Sequence, residues 1–338
     1  PLDANQAGFQ HGSIFSQSTL AIGGSHMCAI LDNKSVMCMG DGEHGQLGNN
    51  DTTEQSLPVY TSSFGRGRTA EALTSGFSHT CAILDNGNLT CWGKGSEGQL
   101  GLGTFTDAST PGSPITFASD QKVVTFAAGQ DHTCAILDDG QVACWGDGSN
   151  GQLGKVGVTG SALPVLTDTL GLNRTAKAIA SGSDHTCAIL DNGSTVCWGG
   201  GSQGQLGNGN FADADSPTQV APFPFNLKAV ALSAGDKHTC ALLSQGSVAC
   251  WGSGARGMLG SGSTSDSAVP QLVEPFGQGR KATALSSKFQ HTCALLDDGN
   301  VTCWGDNENG RGGNNGSSSE SLSPTMTANF GSDRFAIA

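Results

Sequence analysis

Twelve cysteines fall into six pairs with a single internal spacing. They are Cys28/Cys38, Cys81/Cys91, Cys134/Cys144, Cys187/Cys197, Cys240/Cys250 and Cys293/Cys303, ten residues apart within a pair and 53 residues from one pair to the next. A period near 50 residues marks a propeller or an array, in which one supersecondary unit is copied. Other residues hold the same phase. His26, His79, His132, His185, His238 and His291 each lie two residues before a first cysteine. Trp92, Trp145, Trp198, Trp251 and Trp304 each follow a second cysteine, and Met39 takes that place in the first repeat. Pro58, Pro111, Pro164, Pro217 and Pro270 also step by 53, while Pro324 falls one residue late and marks an insertion in the last repeat.

One repeat reads as short strands punctuated by turn residues. An apolar segment, 70–73, precedes Gly76; a strand runs over 79–84, the turn Asp85-Asn86-Gly87 follows, a second strand runs over 88–92, and GQLG at 98–101 closes the unit. The lengths are strand lengths, and no stretch carries a sustained helical period. A three-residue hairpin loop with glycine in the left-handed region suits Asp85-Asn86-Gly87. That register sets Ile83 opposite Leu89 and Cys81 opposite Cys91. Opposed strand residues lie ~4.5–5.5 Å apart at Cα, inside the ~4.4–6.8 Å a disulfide needs. The same count holds for all six pairs and predicts six cross-strand disulfides, each contributing ~2.5–3 kcal/mol as an upper value of the loop-entropy account. Zinc is the competing reading, but isolated cysteines ten apart lack the paired CxxC spacing of zinc sites. Disulfides in this number imply an oxidising compartment, with the chain secreted to the extracellular space or cell surface.

Charge and composition narrow the function classes. Over 338 residues the formal charge is −13, which argues against nucleic acid and against a polybasic membrane anchor. No 18-residue apolar run is present, so no membrane insertion is expected. With no starting Met and no signal-like stretch, Pro1 reads as the start of a processed or trimmed chain. No catalytic set, cofactor site or metal site is expected. The repeated histidines, one per repeat, read as satisfying blade backbone rather than as ligands. Asp32, Asp85, Asp138, Asp191 and Asp297 fall in hairpin turns, where turn chemistry accounts for them. No GxSxG nucleophile is present, GQLG lacks the lysine and helix of a phosphate loop, and no calcium loop is visible. His11 and His44 lie outside the repeat phase without an evident partner.

The repeated string GxxHTCAILDNGxVxCWGxGxxGQLG is clearest at 76–101, 129–154, 182–207 and 235–260. It resembles the repeat of the regulator of chromosome condensation family, and the resemblance covers about 18–313. It implies a β-propeller of four-stranded blades, usually seven. The cysteines depart from the intracellular members and are similar to those of Cys-bearing versions in secreted bacterial proteins. Members include a nucleotide exchange factor for a small GTPase that also binds chromatin, a plant ultraviolet receptor and secreted β-lactamase inhibitors, so the family does not fix a function. The acidic balance and missing basic tail count against the exchange factor. The five tryptophans occupy the repeat's structural position, which counts against the photoreceptor and for core packing.

Six repeats use nearly the whole chain. Phe335-Ala336-Ile337-Ala338 resembles Lys177-Ala178-Ile179-Ala180 at the first strand of a repeat, and 19–22 has the same character. The expected fold is all-β: a single propeller domain over 1–338, with about six four-stranded repeats in a ring. A partial seventh blade from the two termini, or an open arc whose strand Phe335–Ala338 exchanges with the next molecule, stays open. Seven N-x-S/T sequons, at Asn33, Asn50, Asn88, Asn173, Asn192, Asn300 and Asn315, are candidate N-glycosylation sites, although Asn- and Ser-rich turns generate such triplets by themselves. The unvarying spacing fits either recent duplication or stacking of the loop face on neighbours. The functional expectation is a secreted, disulfide-stabilised, non-enzymatic scaffold that binds protein or glycan. The alternatives are a subunit that self-assembles head to tail into a filament and, third, a polysaccharide-active enzyme.

Overall fold

The computed structural model describes residues 18–118, 121–314, 316, 318–328 and 336. The fold is a six-bladed β-propeller of antiparallel blades. Blade 1 is formed by β1 (Leu20–Ile22), β2 (His26–Ile30), β3 (Val36–Gly40) and β4 (Gln55–Tyr60). Blade 2 contains β5 (Ala70–Ser75), β6 (His79–Leu84) and β7 (Leu89–Gly93). Blade 3 contains β8 (Val123–Ala128), β9 (His132–Leu137), β10 (Val142–Asp147) and β11 (Gly160–Leu166). Blade 4 contains β12 (Ala176–Ser181), β13 (His185–Leu190), β14 (Thr195–Gly199) and β15 (Ala214–Gln219). Blade 5 contains β16 (Ala229–Ala234), β17 (His238–Leu243), β18 (Val248–Gly252) and β19 (Ser267–Leu272). Blade 6 contains β20 (Ala282–Lys288), β21 (His291–Leu296), β22 (Val301–Asp306) and β23 (Glu320–Met326). In blade 2 the outermost place is held by the single bridge Gly93–Ala108. Gly112 and Pro114 explain the missing ladder: at the Pro114 phase the other blades donate an amide to the third strand, as Thr61 does to Val36 and Thr167 to Val142, and proline has none, while Pro111 keeps the phase of the prolines inside the other outer strands.

The hairpin register is the one the turn chemistry predicts. Ile83 faces Leu89, Cys81 faces Cys91, and Leu84 N–H donates to Asn88 O at 2.8 Å. Gly87 closes the turn at φ +76°. In the other blades Cys28 faces Cys38, Cys134 faces Cys144, Cys187 faces Cys197, Cys240 faces Cys250 and Cys293 faces Cys303. All six pairs are disulfide-bonded, with Cα atoms 4.1 Å apart in every case. That separation falls slightly short of the range expected from the sequence. The reason is that each pair occupies a non-hydrogen-bonded position, where antiparallel strands approach most closely.

The strand at 19–22 is the first strand of blade 1 and pairs with β2 rather than closing a distant blade. At the other end Ala336 N–H donates to Gly299 O at 3.0 Å, as Ala176 does to Gly140 and Ala282 to Gly246. Ala336 thus stands in the register that opens a following blade. Phe335, Ile337 and Ala338 lie outside the described residues.

The blades cohere through a repeated latch. The GQLG turn of one blade offers its Gln backbone carbonyl to the next. Gln99 O accepts Trp145 Nε1–H at 2.9 Å and Thr133 Oγ1–H at 3.0 Å. Gln46 O takes Trp92 and Thr80, and Gln205 O takes Trp251 and Thr239, in the same way. In blade 5 Met258 stands in the Gln place, and its carbonyl takes Trp304. Each Thr hydroxyl in turn receives the histidine of the preceding blade, as in His79 Nε2 to Thr133 Oγ1 at 2.9 Å and His185 Nε2 to Thr239 Oγ1 at 2.8 Å. At Thr80, Thr133 and Thr239 the hydroxyl's one proton goes to the carbonyl, so His26, His79 and His185 must donate from Nε2. Their Nδ1 atoms are left buried with no partner. Apolar layers between consecutive blades complete the packing, such as Ile83, Leu100 and Leu137 around Trp145.

The sixth junction is built differently. Met27 and Met39 form a cross-strand pair where the other blades carry Thr and Trp. Blade 6 carries Gly310-Arg311-Gly312-Gly313 in place of GQLG, and Arg311 turns to Asp306. His291 has no Thr partner among the described residues and is only half-buried. A space of about 410 Å³, lined by Ile22, Met27, Met39 and Phe289, lies at this junction.

Burial pulls His132 down to about 4 and His79, His185 and His238 to about 3, because a second proton at Nδ1 would have no acceptor. The unfolded chain takes up these protons below about pH 6.5, whereas the folded chain does not. Stability is therefore full above pH 6.5 and falls as the pH drops toward 4, by up to ~1.4 kcal/mol per pH unit for each histidine. Denaturant melts across this window should show a slope shallower by about one proton in His79→Asn, whose Thr133 partner donates to Gln99 O. An unchanged slope would contradict the neutral-histidine relay. A second test uses two loop glycines with positive φ. A Cβ on Gly154 would meet the Trp198 indole at 2.9 Å, whereas one on Gly157 would meet nothing within 4 Å. Gly157→Ala should cost ~1 kcal/mol of left-handed strain, and Gly154→Ala a further ~1–3 kcal/mol of overpacking. Equal costs in chemical denaturation would show that the turn does not press on the tryptophan.

Candidate interaction surface

The topology sorts the loops onto two ends. The Gly-x-x-His turns between first and second strands share one end with the variable loops between third and fourth strands. The Asp-Asn-Gly tips and the blade-to-blade connections lie at the other. At the centre of the first end the turns are stitched by backbone bonds. Gly24 N–H donates to Phe77 O, Phe77 to Gln130, Gln130 to Ser183, Ser183 to Asp236 and Asp236 to Phe289, at 2.8–3.2 Å. The rings of Phe77 and Phe289 meet edge to face, 6.3 Å between centroids. Within this girdle the axial space shrinks to about 30 Å³. Farther in, where the first strands face one another, it widens to about 410 Å³.

Charges cluster at the girdle. Burial pushes the Asp131 carboxyl up, but the Lys94 ammonium at 2.8 Å and the Gln130 amide more than offset this, so it sits below the ordinary range. Burial raises Asp236 above it. Burial lowers Lys288 to about 8, with Asp236 pulling the other way.

The variable loops carry exposed apolar groups on a fixed base. Phe105 is 59% exposed, Val156 64% and Phe211 54%, and Phe77 at the centre is 46% exposed. The loops are tied to the next blade's outer strand, by Gly103 N–H to Ala162 O and Gly209 N–H to Ala268 O, both 2.8 Å. Asp107 accepts Gly95 N–H at one oxygen, and His44 Nδ1 meets the other at 2.8 Å, which supplies the partner the sequence did not reveal for His44. His11 lies outside the described residues.

The cysteines stand apart from this surface. The sequence reading places all twelve in six cross-strand disulfides, and the structure forms each of those pairs. Cys38, Cys91, Cys144, Cys197, Cys250 and Cys303, the second members of the pairs, are buried in the third strands of their blades. Their partners Cys28, Cys81, Cys134, Cys187 and Cys240 are buried in the second strands, and Cys293 is half-buried there. No cysteine lines the girdle, the axial cavity or the space between blades 6 and 1. All are consumed in disulfides and none is free to react or to bind metal. The physical reason is their register: opposed inner-strand positions turn them into the packing between blades, so they staple hairpins and touch no ligand surface.

The sequons divide between the ends. Asn33 and Asn192 are exposed at tips, and their Oδ1 atoms accept the hydroxyls of Ser35 and Ser194. Asn173 is exposed on a blade-to-blade connection and Asn50 on the loop end. Asn88 and Asn300 are half-buried, engaged by Lys122 and Asp298. Asn315 lies outside the described residues. Among the described residues no three His, Cys, Asp or Glu side chains gather into a metal-binding group, and no helix is long and apolar enough to cross a membrane. Repeat reasoning passed over Lys288 and the exposed aromatics. The signal was present as a departure from phase, since Lys288 stands where Gly23, Gly76, Gly129, Gly182 and Gly235 stand in the other repeats.

Comparison with known proteins places this architecture. The sequence profile of the RCC1-like domain matches residues 5–337. The ultraviolet-B receptor UVR8 of Arabidopsis thaliana is 34% identical over 78% of this chain, which spans 59% of that receptor. The probable E3 ubiquitin-protein ligase HERC6 of Homo sapiens is 33% identical over 75% of this chain, which spans 25% of that protein. The chain therefore covers less than two thirds of either relative. Among solved structures, yeast RCC1 (Prp20) bound to Kap60 superposes with a TM-score of 0.80 at 22% identity, covering 92% of this chain and 74% of that one. The ectodomain of the Arabidopsis thaliana receptor kinase ACR4 gives a TM-score of 0.54 at 18% identity, covering 85% of this chain and 84% of that one. With the profile spanning nearly the full length, the chain belongs to the RCC1-like family, the regulator of chromosome condensation repeat family.

Proposed function

We propose that the chain is a secreted, non-enzymatic propeller that binds a protein through its variable-loop end. The observation that carries this reading is the set of exposed apolar groups Phe77, Phe105 and Phe211, mounted on loops whose backbones are bonded to the next blade, with Val156 exposed at the same end. Binding surfaces place adaptable side chains on rigid scaffolds, and aromatic anchors dominate their energetics. Exposed carboxylates accompany these groups, Asp107 on the Phe105 loop and Asp213 on the Phe211 loop, which suits a partner with basic and apolar residues. The six disulfides support an oxidising compartment. One architectural relative, the ACR4 structure, is a receptor-kinase ectodomain, so the fold is compatible with that setting. Ultraviolet reception gains no support, because each tryptophan is buried and bonded to a neighbouring blade's carbonyl.

Two outcomes follow. Biotinylated chain presented to the extracellular fluid of its source should retain a discrete protein at fixed stoichiometry. Phe105→Ser with Phe211→Ser should weaken that complex by about thirtyfold, as expected when one hot-spot's worth of binding is lost. Retention unchanged by the double substitution would move the site elsewhere. Produced in a glycosylating secretory host, the chain should carry glycan at Asn33, Asn50, Asn173 and Asn192 in preference to the engaged Asn88 and Asn300. Peptide mass spectrometry after enzymatic deglycosylation reads this directly, and sugar confined to Asn88 and Asn300 would contradict it.

A further inference from the structure

Lys288 breaks the repeat at its most constrained turn. In the other five blades this position is glycine, whose N–H bonds back to the histidine carbonyl three residues on, as Gly235 does to His238 and Gly182 to His185. A Cβ there would overlap the histidine ring that folds against it. Blade 6 gives up this arrangement. Its first strand runs on to Lys288, which pairs with His291, and Phe289 is left at φ +50°, a conformation that non-glycine residues seldom adopt. His291 is half-buried, unlike its fully enclosed counterparts. Departures that strain the backbone in an otherwise regular fold gather at functional positions.

The substitution puts an ammonium on the propeller axis. Lys288 lines both the girdle and the 410 Å³ cavity behind it. It donates one proton to Ser75 O across the axis at 3.1 Å, and its ammonium lies 6.0 Å from the Phe289 ring centre. An ammonium has three donors, so two remain for another acceptor. No carboxylate lies within ion-pair distance among the described residues; Asp236, the nearest charged influence, is bonded to Ser183 Oγ at 3.1 Å. The same cavity is lined by Ser75, Ser233, Ser286 and Ser287, of which Ser233 Oγ accepts Ser287 N–H and Ser287 Oγ meets Thr292. Ser75 is 5% exposed, and its Oγ has no hydrogen-bond partner among the described residues. A cation with spare donors and a residue with an unpartnered buried hydroxyl thus line one axial space.

We infer that the axial cavity is a binding site for a small oxyanion, a carboxylate or phosphate group held by Lys288 Nζ and Ser75 Oγ. The chain's overall charge of −13 disfavours diffuse anion binding, so any saturable uptake has to come from a local site of this kind. This inference is independent of the loop-end partner.

Isothermal titration of the intact, unreduced chain with inorganic phosphate and, separately, with acetate tests it. At least one probe should bind saturably at one site per chain, and the tighter of the two identifies the oxyanion. Lys288→Gly restores the residue found in the other five repeats, so it should fold; it should weaken binding at least about tenfold, as for loss of a charge-assisted bond. Ser75→Ala should weaken it about fivefold, the effect of one hydrogen bond. Lys288→Met replaces the glycine variant if circular dichroism shows the latter unfolded. No saturable binding of either probe, or equal affinity in folded Lys288 and Ser75 variants, would overturn the assignment.

Discussion

A single backbone carbonyl per blade organises this propeller. The Gln of each GQLG turn offers its oxygen to the next blade's tryptophan, at Gln46, Gln99 and Gln205 also to its threonine, and that threonine takes the previous blade's histidine. Four residues from two blades therefore meet at one acceptor, enclosed by apolar side chains. Much of what looks like decoration in the repeat follows from this. The tryptophan is bulky because it covers the turn and polar at one edge because it must reach the carbonyl. The glycine that ends GQLG has to accommodate the indole face. The histidine is neutral because its only donor is spent on the threonine. The disulfides act at a different level: each fixes one hairpin, and none crosses a junction.

The latch also explains where the repeat departs from itself. Met27 and Met39 replace Thr and Trp in blade 1, and Gly310-Arg311-Gly312-Gly313 replaces GQLG in blade 6. Both changes fall at the one junction that lacks the repeated bonds. Methionine is an adaptable apolar filler, suited to a face without a fixed acceptor opposite it. At this junction Phe289 and Lys288 reach past blade 1 to Phe77 and Ser75 of blade 2, so the central contacts differ from the other five.

The fold was legible because strict periodicity carries register. Ten residues between cysteines and a three-residue turn leave one pairing of the hairpin strands, and the structure adopts it, from Cys28–Cys38 to Cys293–Cys303. Other features were hidden for physical reasons. A backbone acceptor leaves no mark in the side-chain sequence, so the Gln carbonyl could not be read from GQLG. The outermost strand of blade 2 follows the repeat phase, yet Gly112 and Pro114, which depart from that phase, dissolve its ladder. The axial cation was visible only as a lysine in a glycine column. Repeat reading averages columns and therefore passes over such single departures, which are where non-repeating chemistry resides.

Hydrogen exchange of the intact, unreduced chain, read at backbone amides and tryptophan indole Nε1–H groups, tests the latch most directly. The latch account predicts that the five indole protons exchange as slowly as the amides of their own inner strands. It also predicts that blades 2–5 open together, while the junction between blades 6 and 1 opens at lower free energy. Indole protons that exchange within minutes while the strand amides stay protected would mean that the disulfide-closed hairpins, rather than the carbonyl latches, hold the propeller together.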